Sequence, residues 1–191
     1  MSECLGQFFS QPEPGIEMSA QHRSYITYSL PGQHPQAAVV TLLESPSILG
    51  AAGTTGFRTW EAALYLGHFL CSTKGQAYVN KRSVLEIGAG TGLLSILCAK
   101  HLGAKSVIAT DGAREILTDL KTNIELNDVG DIPVLRVESL KWGHSIISEA
   151  FVQHSDGAGI DLAFGSDIVR ISRQVRGVLV HNTYLNVALD L

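Results

Sequence analysis

The sequence predicts an α/β fold, a Rossmann-like doubly wound sheet preceded by an N-terminal β-hairpin. Three observations carry this. From Ser83 onward, short apolar runs rich in β-branched residues alternate with segments of helical periodicity, the pattern of parallel strands joined by right-handed crossovers. Between the first of these runs and the following helix stands Gly88-Ala89-Gly90-Thr91-Gly92, a turn almost bare of side chains. Upstream, two runs rich in β-branched and aromatic residues flank "PGQHP", which is turn chemistry.

The elements follow in order. Residues 1–22 carry Pro12, Pro14 and Gly15 among polar residues and are expected to form a loose leader. "RSYITYSL" and "AAVVTLLES" predict a hairpin over about 24–44, and "SPSILGAAGTTG" a loop. From Thr59, "TWEAALYLGHFLCS" places Ala62, Ala63, Leu66, Phe69 and Leu70 on one helical face. "SVLEI" is the first buried strand, "TGLLSILCAKHLG" a helix stopped at Gly103, and "KSVIAT" the second strand. "GAREILTDLKTNIELN" is a helix ending near Asn127, with Ile116, Leu117, Leu120, Ile124 and Leu126 inward. "PVLRVES" and "DLAFGSD" supply the third and fourth strands. The domain is therefore expected over 23–167, with 168–191 a separate tail.

A chain of 191 residues, 45% hydrophobic and 17% charged, suffices for one domain with a sizeable core. A formal net charge of -4 argues against a general nucleic-acid binder. Cys4, Cys71 and Cys98 have neither disulfide-framework nor metal-ligand spacing, which fits a reducing compartment. The seven histidines form no metal constellation, and Cys98 with His101 on one helix face is better explained by core packing than by zinc. The first residues, with Glu3 and a polar composition, are unlike a secretory signal, and no run approaches the roughly 18 to 20 apolar residues that span a bilayer. A cytoplasmic protein with no membrane partner is expected.

The glycine turn lies where a strand hands over to a helix at the carboxyl edge of the predicted sheet. Glycine admits positive φ and close approach of a ligand to the backbone, and the helix start offers unpaired N–H groups, so a nucleotide-like ligand fits. Asp111 ends the second strand at about the 20-residue spacing expected of an acid that grips ribose hydroxyls. A tight turn without a ligand is the plain alternative. A nicotinamide site is the functional rival, but its G-x-G-x-x-G fingerprint demands glycine where Leu93 stands. Glu86, two residues before Gly88, would repel a pyrophosphate and favour an ammonium or a sulfonium. That preference points to S-adenosylmethionine over NAD.

"VLEIGAGTG" with "ATD" resembles the class I, seven-strand methyltransferases. "LLESPSILGAAGTTGFRTWEAALYLGHFL", "SLKWG" and "FGSDIV" narrow the resemblance to the eukaryotic protein-lysine methyltransferases, those of elongation factor 2 above all, over Ser24 to Val169. The resemblance implies an S-adenosylmethionine-dependent protein-lysine N-methyltransferase with elongation factor 2 as its protein partner. It places cofactor contacts on Trp60, on Gly88, Ala89 and Gly90, on Asp111, on Trp142 and on Ser166. Asp111 would accept hydrogen bonds from ribose hydroxyls, Trp142 would cover the adenine face, and Trp60 would stand over the methionine end. Both tryptophans also read as ordinary packing residues. A cofactor-binding remnant without catalysis, serving as an interaction module, is the alternative from another class. A small-molecule methyltransferase is disfavoured by "GTTGFRTWEAA".

In this family the fourth strand ends in Asp-x-x-Tyr or Asp-x-x-Phe at the substrate lysine. Here "SDIVR" supplies Asp167 as the catalytic residue and puts Arg170 in the aromatic position. The lysine must arrive as a neutral amine although its free pKa is about 10.4, which a pocket achieves by desolvating the ammonium and aligning the amine. Asp167 would orient it, and Arg170 would oppose the incoming cation. Beyond Val169 the family would continue with a helix and three more strands, whereas "RISRQVRGVLVHNTYLNVALDL" does not align. The expectation is a truncated chain whose tail derives from unspliced intron, marginal in stability and inactive toward elongation factor 2.

Overall fold

Alternation at Val40, Leu42 and Glu44 buries one face of the strand Ala38–Glu44 (β2), while its partner Ser24–Leu30 (β1) is exposed at most positions. The two pair antiparallel, Ser24 opposite Glu44 and Leu30 opposite Ala38, as the expected hairpin. This is a computed structural model, and it describes residues 23–32, 36–45, 55–129, 134–141 and 160–166. The leader, most of the loop after the hairpin, Trp142, Asp167 and the tail lie outside the described residues.

Helix α1 (Glu61–Leu70) buries Ala63, Leu66, Gly67 and Leu70, close to the expected face. Ala62 and Phe69 are only half-buried. A second helix, α2 (Thr73–Val79), was not expected, because it is short and has no apolar stripe. Its signal is local: the Ser72 hydroxyl accepts the Gly75 N–H at 3.1 Å, an N-cap bond.

β3 (Ser83–Ile87), β4 (Ser106–Asp111), β5 (Leu135–Ser139) and β6 (Leu162–Phe164) form a parallel sheet in the order β5-β4-β3-β6. Helices α3 (Leu93–Lys100) and α4 (Arg114–Leu126) make the two crossovers from β3 to β5. Both run in the same direction across the sheet, so right-handed crossovers put both helices on one face. β2 packs against both of them from outside. Enclosure between sheet, hairpin and α1 explains why α3 is buried at every position from Leu93 to Cys98.

One expectation for α4 needs correction: Leu126 is 39% exposed, and the inward positions near this end are Ile124, as expected, with Asn123 and the C-cap Asn127. The reason is the backbone edge of β2, whose polar groups need partners. Asn123 accepts the Leu43 N–H at 2.8 Å. Asn127 accepts the Thr41 N–H at 3.0 Å and donates to the Thr41 carbonyl at 2.6 Å. One turn apart on the helix, the two amides stand in for a neighbouring strand.

From β3 the chain moves outward to β5 and returns to β6 on the other side of β3. The carboxyl ends of β3 and β6 therefore flank the point where strand order reverses, which is where open α/β sheets bind ligands.

Candidate functional site

The turn after β3 is shaped by glycine. At Gly90, φ is +53° and a Cβ would lie 3.3 Å from the Gly56 carbonyl oxygen, so the loop before α1 sits directly on the turn. At Gly92, φ is +90° and a side chain would run into Leu120. An L-residue is strained at such φ values, and the contact is tight at Gly90 and a clash at Gly92. The Thr110 carbonyl accepts the Ala89 N–H at 2.8 Å, and the Thr110 hydroxyl returns to the Glu86 carbonyl at 2.7 Å, which anchors the turn to β4.

Beside this turn opens a cavity of about 480 Å³. Its lining includes Trp60, Glu86, Gly88, Ala89, Gly90, Asp111 and Ser166, so seven of the nine sequence-predicted site residues share one space. The other two, Trp142 and Asp167, lie outside the described residues.

Two carboxyl groups face the cavity in different surroundings. Glu86 is 1% exposed and accepts a hydrogen bond from the Ser95 hydroxyl. Burial, with a smaller push from Asp111, raises its carboxyl to about 8 against the opposing bond from Ser95. Asp111 accepts the Gly90 N–H on one oxygen and the Ala113 N–H on the other, each at 3.1 Å. Each oxygen keeps acceptor capacity for a hydroxyl.

Trp60 caps the N-terminus of α1, donates its indole N–H to the Thr55 carbonyl at 3.0 Å and lies under the Arg58 guanidinium, 5.5 Å from the ring centre. Arg58 is held in turn by Glu61 at 2.8 Å. Thr59, between them, gives its hydroxyl to Glu44 at 2.6 Å. Glu44 also bears on Tyr28, whose phenol is pushed up to about 12 by burial first and by this carboxylate second.

The sequence reading passed over Arg58, Thr59, Ile116, Leu140 and Lys141, all of which line the cavity. Leu140 and Lys141 follow β5 at the same carboxyl edge as the glycine turn, so the rule that located the turn also covers them. For Thr59 no sequence signal existed, because its role depends on where the hairpin packs.

The family model described as lysine methyltransferase matches residues 50–180. The chain is 41% identical over 170 residues to the protein-lysine N-methyltransferase EFM3 of Chaetomium thermophilum, covering 88% of this chain and 50% of that protein. It is 33% identical over 135 residues to the human protein-lysine N-methyltransferase EEF2KMT, covering 66% of this chain and 38% of that one. The chain thus spans half the length or less of these two relatives. Among solved structures, an O-methyltransferase from Bacillus cereus in complex with SAH is similar at a TM-score of 0.40 and 18% identity, over 62% of this chain and 47% of that one.

Proposed function

This chain belongs to the lysine methyltransferase family, and we propose that it works as an S-adenosylmethionine-dependent protein-lysine N-methyltransferase. The observation that supports this most is the pairing, in one cavity, of the buried Glu86 with the strand-end Asp111 beside a bare glycine turn. This donor set fits S-adenosylmethionine, the methyl donor the family implies. Asp111 suits a pair of ribose hydroxyls, and an arriving ammonium would draw Glu86 into its anion.

When bound, that cofactor supplies a methyl group on a sulfonium, open to in-line attack by an amine. The rest falls to the residues of the chain. Glu86 would hold the ammonium of the amino-acid end, and Asp111 would accept hydrogen bonds from the ribose hydroxyls. Ile116 and Leu140 would give the heterocycle an apolar wall, and the resemblance assigns its stacking partner to Trp142. Gly88, Ala89 and Gly90 would let the cofactor approach the backbone, and Trp60 and Ser166, which line the same cavity, would help to hold it. Asp167, next in sequence to Ser166, orients the substrate amine. The protein substrate we propose is elongation factor 2, in the cytoplasm. Support comes from the motifs shared with that group of enzymes and from the likeness to the EFM3 and EEF2KMT proteins.

Calorimetry tests the cofactor reading. S-adenosylhomocysteine should bind and NAD should give no heat, and Asp111→Ala should weaken binding by about 1–3 kcal/mol with the fold retained, since two hydroxyls lose their acceptor. Tight NAD binding with no response to S-adenosylhomocysteine would sink it. For the substrate, purified elongation factor 2 is incubated with the chain and S-adenosylmethionine, and its lysines are read by mass spectrometry. Methylation by the parent that is lost in Asp167→Ala supports the reading and overturns the expectation of an inactive chain. Cofactor binding without transfer to any lysine would instead favour the interaction module.

A further inference from the structure

In the turn Gly88-Ala89-Gly90-Thr91-Gly92, Thr91 is the residue whose side chain can form hydrogen bonds, so any hold that engages one of the turn's own side chains by a hydrogen bond must act there. Two routes from the end of β2 reach it. In the first, the Thr59 N–H and hydroxyl both donate to the Glu44 carboxylate, at 3.2 and 2.6 Å, and the Thr59 and Thr91 hydroxyl oxygens lie 2.7 Å apart. Thr59 has spent its one hydroxyl proton on Glu44, so Thr91 is the donor in that last bond. The chain of donors ends on a carboxylate 3% exposed, where each bond polarises the next. In the second route Asn123 accepts the Leu43 N–H at 2.8 Å and donates to the Thr91 carbonyl at 2.9 Å.

Thr91 is thus gripped by its hydroxyl and by its carbonyl, each time from the last two residues of β2. Glycines give the turn its shape at the expense of rigidity, and a binding site that must be ordered on ligand arrival loses affinity. A carboxylate buried among neutral donors is also costly to keep where an apolar side chain would pack. Its alignment of Thr59 gives it a purpose.

We propose that Glu44, Thr59 and Asn123 are positioning residues, through which the docked hairpin fixes the glycine turn at Thr91 in the form that binds the cofactor. The proposal rests on the cofactor reading above. It makes the hairpin part of the binding site although none of its described residues lines the cavity.

The test compares Thr59→Val and Thr91→Val, which remove the same hydrogen bond from either end, with Asn127→Ala, in the full 191-residue chain. Asn127 clamps the hairpin at Thr41 and has no bond to Thr91, so its loss loosens the docking alone. Hydrogen exchange of the ligand-free proteins reads the turn, and calorimetry with S-adenosylhomocysteine reads the site. Both valine variants should exchange the amides of Gly90 and Gly92 about tenfold faster and bind roughly tenfold more weakly. Asn127→Ala should change neither while lowering the melting temperature. Unaltered exchange or affinity in the valine variants, or an equal loss in Asn127→Ala, overturns the proposal. A parent that binds no S-adenosylhomocysteine, with the turn still loosened by both valines, overturns the cofactor reading and leaves the hold on Thr91 supported.

Discussion

Glu86→Gln should abolish most of the loss of stability that the parent shows between about pH 5 and about pH 8. The Glu86 carboxyl has its folded pKa raised to about 8 from 4.5, because its environment disfavours the anion. In that window the unfolded chain ionises this group and the folded chain resists, so the folded state binds more protons and its stability falls as pH rises. The contribution is full below about 4.5 and gone once pH passes 8. At about 1.4 kcal/mol per pKa unit the loss amounts to several kcal/mol. Glutamine keeps an acceptor for the Ser95 hydroxyl and carries no charge at any pH. Urea unfolding of both proteins at the two pH values measures the difference, and an identical pH dependence in parent and variant refutes it. The same proton should be visible in binding. Near pH 7 the ligand-free Glu86 is mostly protonated, and an ammonium placed beside it favours the anion, so S-adenosylhomocysteine should release about one proton. Calorimetry in buffers of different ionisation enthalpy counts that proton, and Glu86→Gln should release none.

Gly75→Ala is the second large effect, and here two rules disagree in sign. Helix propensity favours alanine over glycine by about 1 kcal/mol inside a helix such as α2. Packing opposes it: a Cβ at Gly75 would sit on the Phe69 carbonyl oxygen and 2.6 Å from the Leu70 Cα. These are backbone atoms of α1, which cannot step aside as a side-chain end can. The clash wins, and the variant should lose about 3 kcal/mol, the upper part of the range for overpacking. Lys74→Ala, at the exposed neighbouring position, should stay within about 0.5 kcal/mol of the parent. A Gly75→Ala protein as stable as the parent in chemical denaturation would show that the corner between α1 and α2 can open freely.

What was legible in the sequence is what short-range chemistry decides. β3, α3 and β4 came out within a few residues because apolar runs and glycine punctuation act locally, and the same stretch carried Glu86, Gly88, Ala89, Gly90 and Asp111 into one cavity. α2 was missed because it is held by a single serine cap and a glycine corner, with no apolar stripe to report it. Leu126 and Asn123 exchanged roles because the face of α4 that periodicity assigns to the core also meets the polar edge of β2. Thr59 and Arg58 reach the site through the docking of the hairpin and its following loop, and nothing in their neighbours along the chain announces that.

The amide clamp between α4 and β2 also sets a timetable for synthesis. Thr41 and its partner Asn127 are 86 residues apart in sequence. As the chain leaves the ribosome, the hairpin emerges long before the helix that will hold it, and an isolated hairpin is at best marginally stable in water. Its exposed Tyr25, Ile26 and Val39 then have no docked structure behind them. Closing so long a loop comes late in folding, after the local pairing of β3, α3 and β4. The two hairpin strands are therefore made before the sheet and helices that follow them and are among the last settled, and the interval between is when a chaperone would find them.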